Sequence, residues 1–187
     1  MKKITDALAE GPLLFDGAMG SLLYERGVLH TRSYDELNLS QPELIRTVHR
    51  DYVHAGAELI ETNTFGANRI ALARHGLAEQ AKAINRAGVE LARSAAGERA
   101  YVAGAVGPTN RTASLSPDVN NPGFRNVNFD ELRSAYAEQV RGLMDGGADI
   151  ILIETIFDTL NAKAAGFATL EVFEEMGVEL PIMISGT

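Results

Sequence analysis

Two acidic residues stand where apolar runs of the sequence end. Asp16 follows Leu13-Leu14-Phe15 and opens the segment 16–20 (DGAMG), and Glu154 lies within the apolar run 149–156 (DIILIETI). A partly buried carboxylate needs a cation or hydrogen-bond donors as partners. An acid beside free backbone N–H groups suits an amino acid, whose ammonium and carboxylate groups need opposite partners. A helix cap or a turn is the other interpretation of Asp16.

The partner of Glu154 is either an Arg or Lys of this chain or the ammonium group of a ligand. We favour the ligand, because Asp16 supplies a second acid at an equivalent strand end. A polar cluster, 61–66 (ETNTFG), follows another apolar run and contains Thr62 and Asn63. Polar side chains at the carboxyl ends of buried strands often have a function, although Thr and Asn are also ordinary loop residues.

The four histidines do not form a recognisable metal motif. His49 and His54 are five residues apart on one predicted helix, whereas a helical metal pair has a spacing of four. We expect the histidines, which include His30 and His75, to be exposed or to cap helices.

The elements that position these residues alternate along the chain. Short runs rich in Ile, Leu and Val predict five strands buried on both faces, at 13–15, 58–62, 101–106, 149–156 and 181–185. Four helices are predicted between them. One follows a capping box at Ser40 and Glu43 and ends at Gly56, a second spans 78–96, a third follows a capping box at Asn128 and Glu131, and a fourth spans 158–176.

This alternation predicts an α/β fold with a parallel sheet. A doubly wound sheet normally finishes on a helix, whereas a (β/α)8 barrel needs eight strand–helix units and ~250 residues. Five strands and four helices therefore favour the first part of a barrel of the TIM type. We expect residues 1–187 to be the N-terminal part of such a barrel, and thus an incomplete domain.

Composition excludes several classes of partner. The 187 residues carry 17 Lys and Arg against 25 Asp and Glu, a net charge of −8, and no basic run. We therefore expect no nucleic-acid partner. No stretch approaches the ~20 apolar residues of a membrane span and no signal peptide is apparent, so we expect a cytoplasmic protein with no membrane partner. With no cysteine, these residues offer no thiolate metal site and no thiol nucleophile.

Five blocks of the sequence resemble cobalamin-dependent methionine synthases. They are 15–20 (FDGAMG), 61–65 (ETNTF), 106–120 (VGPTNRTASLSPDVN), 149–164 (DIILIETIFDTLNAKA) and 180–187 (LPIMISGT). The similarity covers nearly the whole chain. It implies the N-terminal homocysteine-binding (β/α)8 barrel of that modular enzyme, a methyltransferase, in truncated form.

The resemblance implies a reaction and a set of binding residues. A zinc-bound homocysteine thiolate takes a methyl group from methylcobalamin, which methyltetrahydrofolate recharges; zinc lowers the pKa of the thiol. Asp16 and Glu154 match the acids that hold the amino group, and Gly17 and Ala18 match the backbone N–H groups that meet the carboxylate. Thr62, Asn63 and Ser185 match positions that line the site.

The chain departs from this family in one respect. The family holds zinc with three cysteines from later strands, and this sequence has none. We therefore assign no catalytic and no metal-binding residue, and we expect the chain alone to bind neither zinc nor cobalamin and to be inactive. Folate and cobalamin would act through domains outside it. Two other interpretations stay open: a non-catalytic amino-acid-binding α/β module, and the substrate barrel of a homocysteine methyltransferase fused to a folate reductase.

Overall fold

A single parallel sheet organises the chain, and the computed structural model describes all of residues 1–187. Its strands, in the spatial order β1-β2-β3-β4, are β1 (Leu59–Glu61), β2 (Tyr101–Val106), β3 (Ile150–Ile156) and β4 (Ile182–Gly186). Ile60 pairs with Val102, and Leu152 pairs with Met183. The predicted α/β fold with a parallel sheet is confirmed.

Eight α-helices accompany the sheet. They are α1 (Ile4–Glu10), α2 (Met19–Glu25), α3 (Leu37–Ser40), α4 (Pro42–His54), α5 (Arg69–Leu72), α6 (Ala81–Ala96), α7 (Phe129–Asp145) and α8 (Thr159–Met176). The four long ones, α4, α6, α7 and α8, correspond to the predicted helices. The capping box at the start of α7 is confirmed, because Asn128 and Glu131 each bond the other's backbone N–H.

The predicted start of α4 is wrong in detail. Gln41 is its N-cap and makes no side-chain capping bond, while Ser40 ends the preceding short helix α3. Pro42 occupies the first helical position, where its missing N–H costs nothing and its fixed φ already suits a helix. The helix predicted from residue 78 begins as a 3₁₀ turn over Ala78–Gln80 and becomes α-helical at Ala81.

The predicted first strand at 13–15 is also wrong, since only Phe15 pairs with β1, through one parallel bridge to Leu59. On either side of this bridge, side-chain carboxylates accept the backbone N–H groups that would otherwise bond to the neighbouring strand. The Leu14 N–H donates to the Glu58 carboxylate at 3.1 Å, and the Asp16 carboxylate accepts the N–H of Glu61. The segment therefore lies beside β1 without becoming a fifth strand.

The four long helices all cover one face of the sheet. Ile60, Val102 and Ile151 point toward them and join the largest apolar cluster with residues of α4, α6, α7 and α8. The alternate residues Leu59, Tyr101 and Leu152 point to the other face, where Ile4 and Ala7 of α1 pack against them. Because all four strands are parallel, their carboxyl ends lie at one edge of the sheet.

His49 contradicts the expectation that the histidines are exposed or capping. It lies on α4, is fully buried, and neither ring nitrogen has a hydrogen-bond partner. Burial lowers the pKa of His49 to about 4. None of the helices combines the length and the apolar composition that a membrane-spanning helix requires.

Candidate functional site

A cavity of about 670 Å³ opens at the carboxyl ends of β1, β2 and β3. Asp16, Glu61 and Glu154 lie on its wall together with the turn that follows Asp16 and the loops that follow β1 and β2. In parallel α/β folds this edge is where ligands bind, because the loops that leave the strands converge there.

Asp16 is held by β1 rather than by a cation. The backbone N–H of Glu61 donates to both of its carboxylate oxygens, at 3.2 and 3.1 Å, and the Asp16 N–H donates to the carbonyl of Leu59 at 3.0 Å. Burial, and then the neighbouring carboxylate of Glu61, raise the pKa of Asp16 to about 8; the Glu61 N–H opposes this rise and Glu154 adds to it.

Glu154 and Glu61 complete a cluster of three acids. Burial, and then the carboxylate of Glu61, raise the pKa of Glu154 to about 7. Burial also raises the pKa of Glu61. Glu61 thus disfavours ionisation of both Asp16 and Glu154, because like charges in a partly buried site repel.

No cation of the chain neutralises this cluster. The ion pairs of the structure leave out Asp16, Glu61 and Glu154 altogether. Of the arginines on the cavity wall, Arg32 pairs with Glu36 and Arg74 donates to His75. The three carboxylates can therefore accept a positive group from a ligand, as a buried acid requires.

A local distortion of β3 accompanies Glu154. Thr155 has a φ of +57°, and no other residue except glycine has a positive φ. The pairing of β3 with β4 shifts register between Ile153 and Ile156. A β-branched residue in this conformation is strained, and such strain concentrates at functional sites. The nearby Thr155 hydroxyl opposes the rise of the Glu154 pKa.

The turn after Asp16 offers unused hydrogen-bond donors. The N–H groups of Gly17 and Ala18 donate to no atom of the chain, and both residues line the cavity. Two free N–H groups beside a cluster of acids form a site with a positive and a negative part. This is the arrangement that an amino acid needs for its carboxylate and its ammonium.

Thr62 and Asn63 line the cavity, but their side chains are occupied. Thr62 accepts the Ala105 N–H at 3.0 Å and shares a 2.6 Å hydrogen bond with Thr64. Asn63 donates to the carbonyl of Tyr34 at 2.7 Å and to the side chain of Asn38 at 3.1 Å. These contacts hold the loop after β1 in place.

Ser185 is separate from the other predicted site residues. It lies in β4, is exposed, and is not on the cavity wall. The structure thus brings Asp16, Gly17, Ala18, Thr62, Asn63 and Glu154 around one cavity and leaves Ser185 outside it. Whether these residues bind a substrate stays a prediction.

Sequence reasoning missed two acids on the cavity wall. Glu61 ends an apolar run just as Glu154 does, so the same signal could have found it. Asp35 lies in a loop without a recognisable pattern. Its half-buried carboxylate accepts the Gly66 N–H at 2.8 Å, which ties this loop to the one after β1.

Close backbone contact joins the loops that follow β1 and β2. The Gly107 N–H donates to the carbonyl of Phe65 at 3.0 Å. A Cβ on Gly107 would come within 2.6 Å of that carbonyl oxygen, so only glycine fits. The longer loop beyond it is anchored by Asn161, whose side chain accepts from Thr109 and Tyr136 and donates to the Arg111 carbonyl.

The residues of this chain do not fit a zinc site. Cysteine is absent, and no group of three or more His, Asp or Glu side chains is placed to hold a metal ion. A catalytic zinc ion needs three protein ligands. No step of a reaction is therefore assigned to a metal held by these residues.

Comparison with known proteins agrees with this geometry. The family model for homocysteine S-methyltransferase matches residues 13–187. Among solved structures, the metallated form of the homocysteine methyltransferase MmuM from Escherichia coli is 31% identical over 92% of this chain, with a TM-score of 0.72. The oxidised form is 31% identical over 88% of this chain, with a TM-score of 0.68.

The chain spans about three fifths of these relatives, 62% of the metallated MmuM chain and 59% of the oxidised one. The family model nevertheless covers all the strands and the whole cavity wall described above. The chain belongs to the homocysteine S-methyltransferase family.

Proposed function

We propose that this chain is the homocysteine-binding part of a methyltransferase that converts homocysteine to methionine. The observation that carries the proposal is the cavity with three cation-free carboxylates beside two free N–H groups. Asp16 and Glu154 bind the ammonium group of homocysteine, and the N–H groups of Gly17 and Ala18 bind its carboxylate. These contacts hold the amino-acid end and leave the thiol end free to meet a methyl donor.

Thr62, Asn63 and Ser185 have lining roles in this proposal. Thr62 and Asn63 act through the loop that they hold, since the Thr62 hydroxyl and the Asn63 amide nitrogen already have partners. Ser185 approaches the substrate only if the edge of β4 becomes part of the site. We assign none of these residues to the chemical step.

We further propose that residues 1–187 form the N-terminal part of a (β/α)8 barrel. Three features support this: the strands follow one another in spatial order, the long helices cover one face, and the relatives are longer than this chain. The open edge of β4 is where the next strand of a barrel would pair.

For the methyl donor we propose methylcobalamin recharged by methyltetrahydrofolate, as in cobalamin-dependent methionine synthase. The support is the resemblance of the loop over 106–120 to that enzyme. Zinc and cobalamin, the groups that this resemblance implies, would be held by parts of the protein outside these residues. We propose that residues 1–187 alone bind homocysteine without transferring a methyl group.

Isothermal titration of the chain with homocysteine at pH 8 tests the binding site. Asp16→Asn and Glu154→Gln should each weaken binding about tenfold or more, because each removes one partner of a charged hydrogen bond. Glu98→Gln is the matched control, since Glu98 is exposed near the amino ends of the strands and carries the same charge. Unchanged affinity in both site variants would refute the proposed site.

A methyl-transfer assay tests the second part of the proposal. The chain is incubated with homocysteine, methylcobalamin and Zn²⁺, and methionine is measured. No methionine above the enzyme-free control is expected. Methionine formed by the chain alone would overturn the proposal that these residues lack the chemical step.

A further inference from the structure

The turn with the two free N–H groups rests on a tyrosine from α4. Tyr52 Oη donates to the carbonyl of Ala18 at 3.1 Å. We propose that Tyr52 is a positioning residue for the carboxylate end of the substrate, holding the Gly17 and Ala18 N–H groups toward the cavity. This inference rests on the proposed function and adds to it the residue that sets its carboxylate specificity.

Tyr52 lies close enough to Gly17 to crowd any side chain placed there. A Cβ on Gly17 would lie 3.1 Å from Tyr52 Oη and 3.3 Å from Cε1. Tyr52 thus touches the turn on both sides of the Gly17–Ala18 peptide, through packing at Gly17 and a hydrogen bond at Ala18. Glycine is otherwise the most mobile backbone residue, so this support limits the orientations that the peptide can take.

Tyr52 is itself held by the interior of the protein. It is half-buried and packs against two apolar clusters, the one between the helices and the sheet and the one between α2, α3, α4 and α6. Burial, and then the nearby Asp16 carboxylate, raise the pKa of Tyr52, so the phenol keeps its proton and remains a donor. The tyrosine therefore connects a rigid core to a turn that has few other contacts.

Pre-organisation is the physical effect that follows. Two N–H groups that are held in one orientation beside the cavity bind a carboxylate without first losing backbone freedom. If the hydroxyl of Tyr52 is removed, the ring still fills its space but the Ala18 carbonyl is no longer held. Binding should then weaken for ligands that use the carboxylate and not for ligands that lack it.

The experiment compares two ligands that differ only in the carboxylate. Homocysteine and its decarboxylated analogue 3-aminopropane-1-thiol are titrated into the wild-type chain and into Tyr52→Phe, with folding checked by circular dichroism. Tyr52→Phe should weaken homocysteine binding about five- to tenfold and change binding of the analogue less than twofold. Tyr24→Phe, an exposed tyrosine on α2 without a side-chain hydrogen bond, is the matched control and should change neither.

The outcomes separate this inference from the proposed function. A wild-type preference for homocysteine that persists in Tyr52→Phe overturns the role of Tyr52 and leaves the binding site intact. Absence of that preference in the wild-type chain overturns the carboxylate site and the role of Tyr52 together. A purely structural role would weaken both ligands equally, which also contradicts the inference.

A second variant covers the case in which Tyr52→Phe does not fold. Gly17→Ala perturbs the same contact, because its methyl group would press on the Tyr52 ring and hydroxyl at 3.1–3.4 Å and shift the hydroxyl away from the Ala18 carbonyl. It should weaken homocysteine binding by a similar factor and spare the analogue. Equal loss for both ligands would count against the inference.

Discussion

The backbone N–H of Glu61 donates to both carboxylate oxygens of Asp16, at 3.2 and 3.1 Å, while the Glu61 side chain repels the same carboxylate. The last residue of β1 therefore both fixes Asp16 and opposes its ionisation. A ligand ammonium would relieve this repulsion, so the binding of such a ligand should be coupled to the protonation of the cluster.

Glu61→Gln should shift the pH dependence of homocysteine binding to lower pH. With the pKa of Asp16 at about 8 and that of Glu154 at about 7, the wild-type acids ionise as the pH rises from 6 to 8.5, and affinity for an ammonium group should rise with it. The variant keeps the backbone N–H and loses one like charge, which lowers both pKa values.

We expect the midpoint of this rise to move down by about one pH unit, measured by titration calorimetry between pH 5.5 and 8.5. Glu98→Gln controls for the change in net charge. An unchanged midpoint in Glu61→Gln would mean that Glu61 does not act on the other two acids.

Asp16→Asn should stabilise the protein at pH 8 although it weakens binding. The folded state raises the pKa of Asp16 from 3.8 to about 8, so it retains a proton that the unfolded chain loses above pH 4. This group therefore makes the fold less stable as the pH rises from about 4 to 8.

In urea denaturation, Asp16→Asn should raise the free energy of unfolding by about 1–2 kcal/mol at pH 8 and change it little at pH 5. Equal destabilisation at both pH values would show that the carboxylate stabilises the turn rather than straining it.

Replacement of Thr155 tests the strain beside Glu154. A left-handed φ of +57° costs a residue with a Cβ about 1–2 kcal/mol, and glycine avoids this cost while losing part of the gain to backbone entropy. Thr155→Gly should therefore unfold with a free energy about 1 kcal/mol higher than Thr155→Ala.

The alanine variant is the control, since both variants lose the Thr155 hydroxyl and only the glycine variant also loses the Cβ. Thermal and urea unfolding give the comparison. Equal stability of the two variants would show that residue 155 adopts an ordinary conformation in solution.

His49 should make the fold sensitive to acid. Burial lowers the pKa of His49 from 6.5 to about 4. Between these pH values His49 is therefore protonated in the unfolded state and neutral in the folded state. The free energy of unfolding is therefore not reduced by His49 above pH 6.5, and it falls as the pH drops from 6.5 toward 4.

Between pH 7 and 4.5 the wild type should lose about 2–3 kcal/mol relative to His49→Leu, which has no group to titrate there. The relevant measurement is the difference between the two proteins at each pH, because Asp16 and Glu154 titrate in the same range with the opposite sign. Parallel pH profiles would mean that folding does not lower the pKa of His49.

Much of the architecture was predictable because it depends on local patterns. The runs over 101–106 and 150–153 are short and continuously apolar, which is typical of a strand covered on both faces, and both lie in strands. Asn128 and Glu131 form the capping box of α7, and because they are only three residues apart the pattern is visible in the sequence. The prediction of a first strand at 13–15 was wrong because the pairing there depends on Glu58, which is distant in sequence. The Glu58 carboxylate accepts the Leu14 N–H.

The sequence by itself determined the order of the elements, and it placed Glu154 near the end of a strand and Asp16 directly after the segment that bridges to β1, because these acids follow apolar residues in the chain. Only the tertiary structure decided that Glu61 joins them, that no arginine reaches them, and that Tyr52 from α4 supports Gly17 and Ala18. These relationships join residues 34 to 138 positions apart, where spacing carries no signal. Ser185 was predicted from its position near the end of a strand, but the tertiary structure places it away from the cavity.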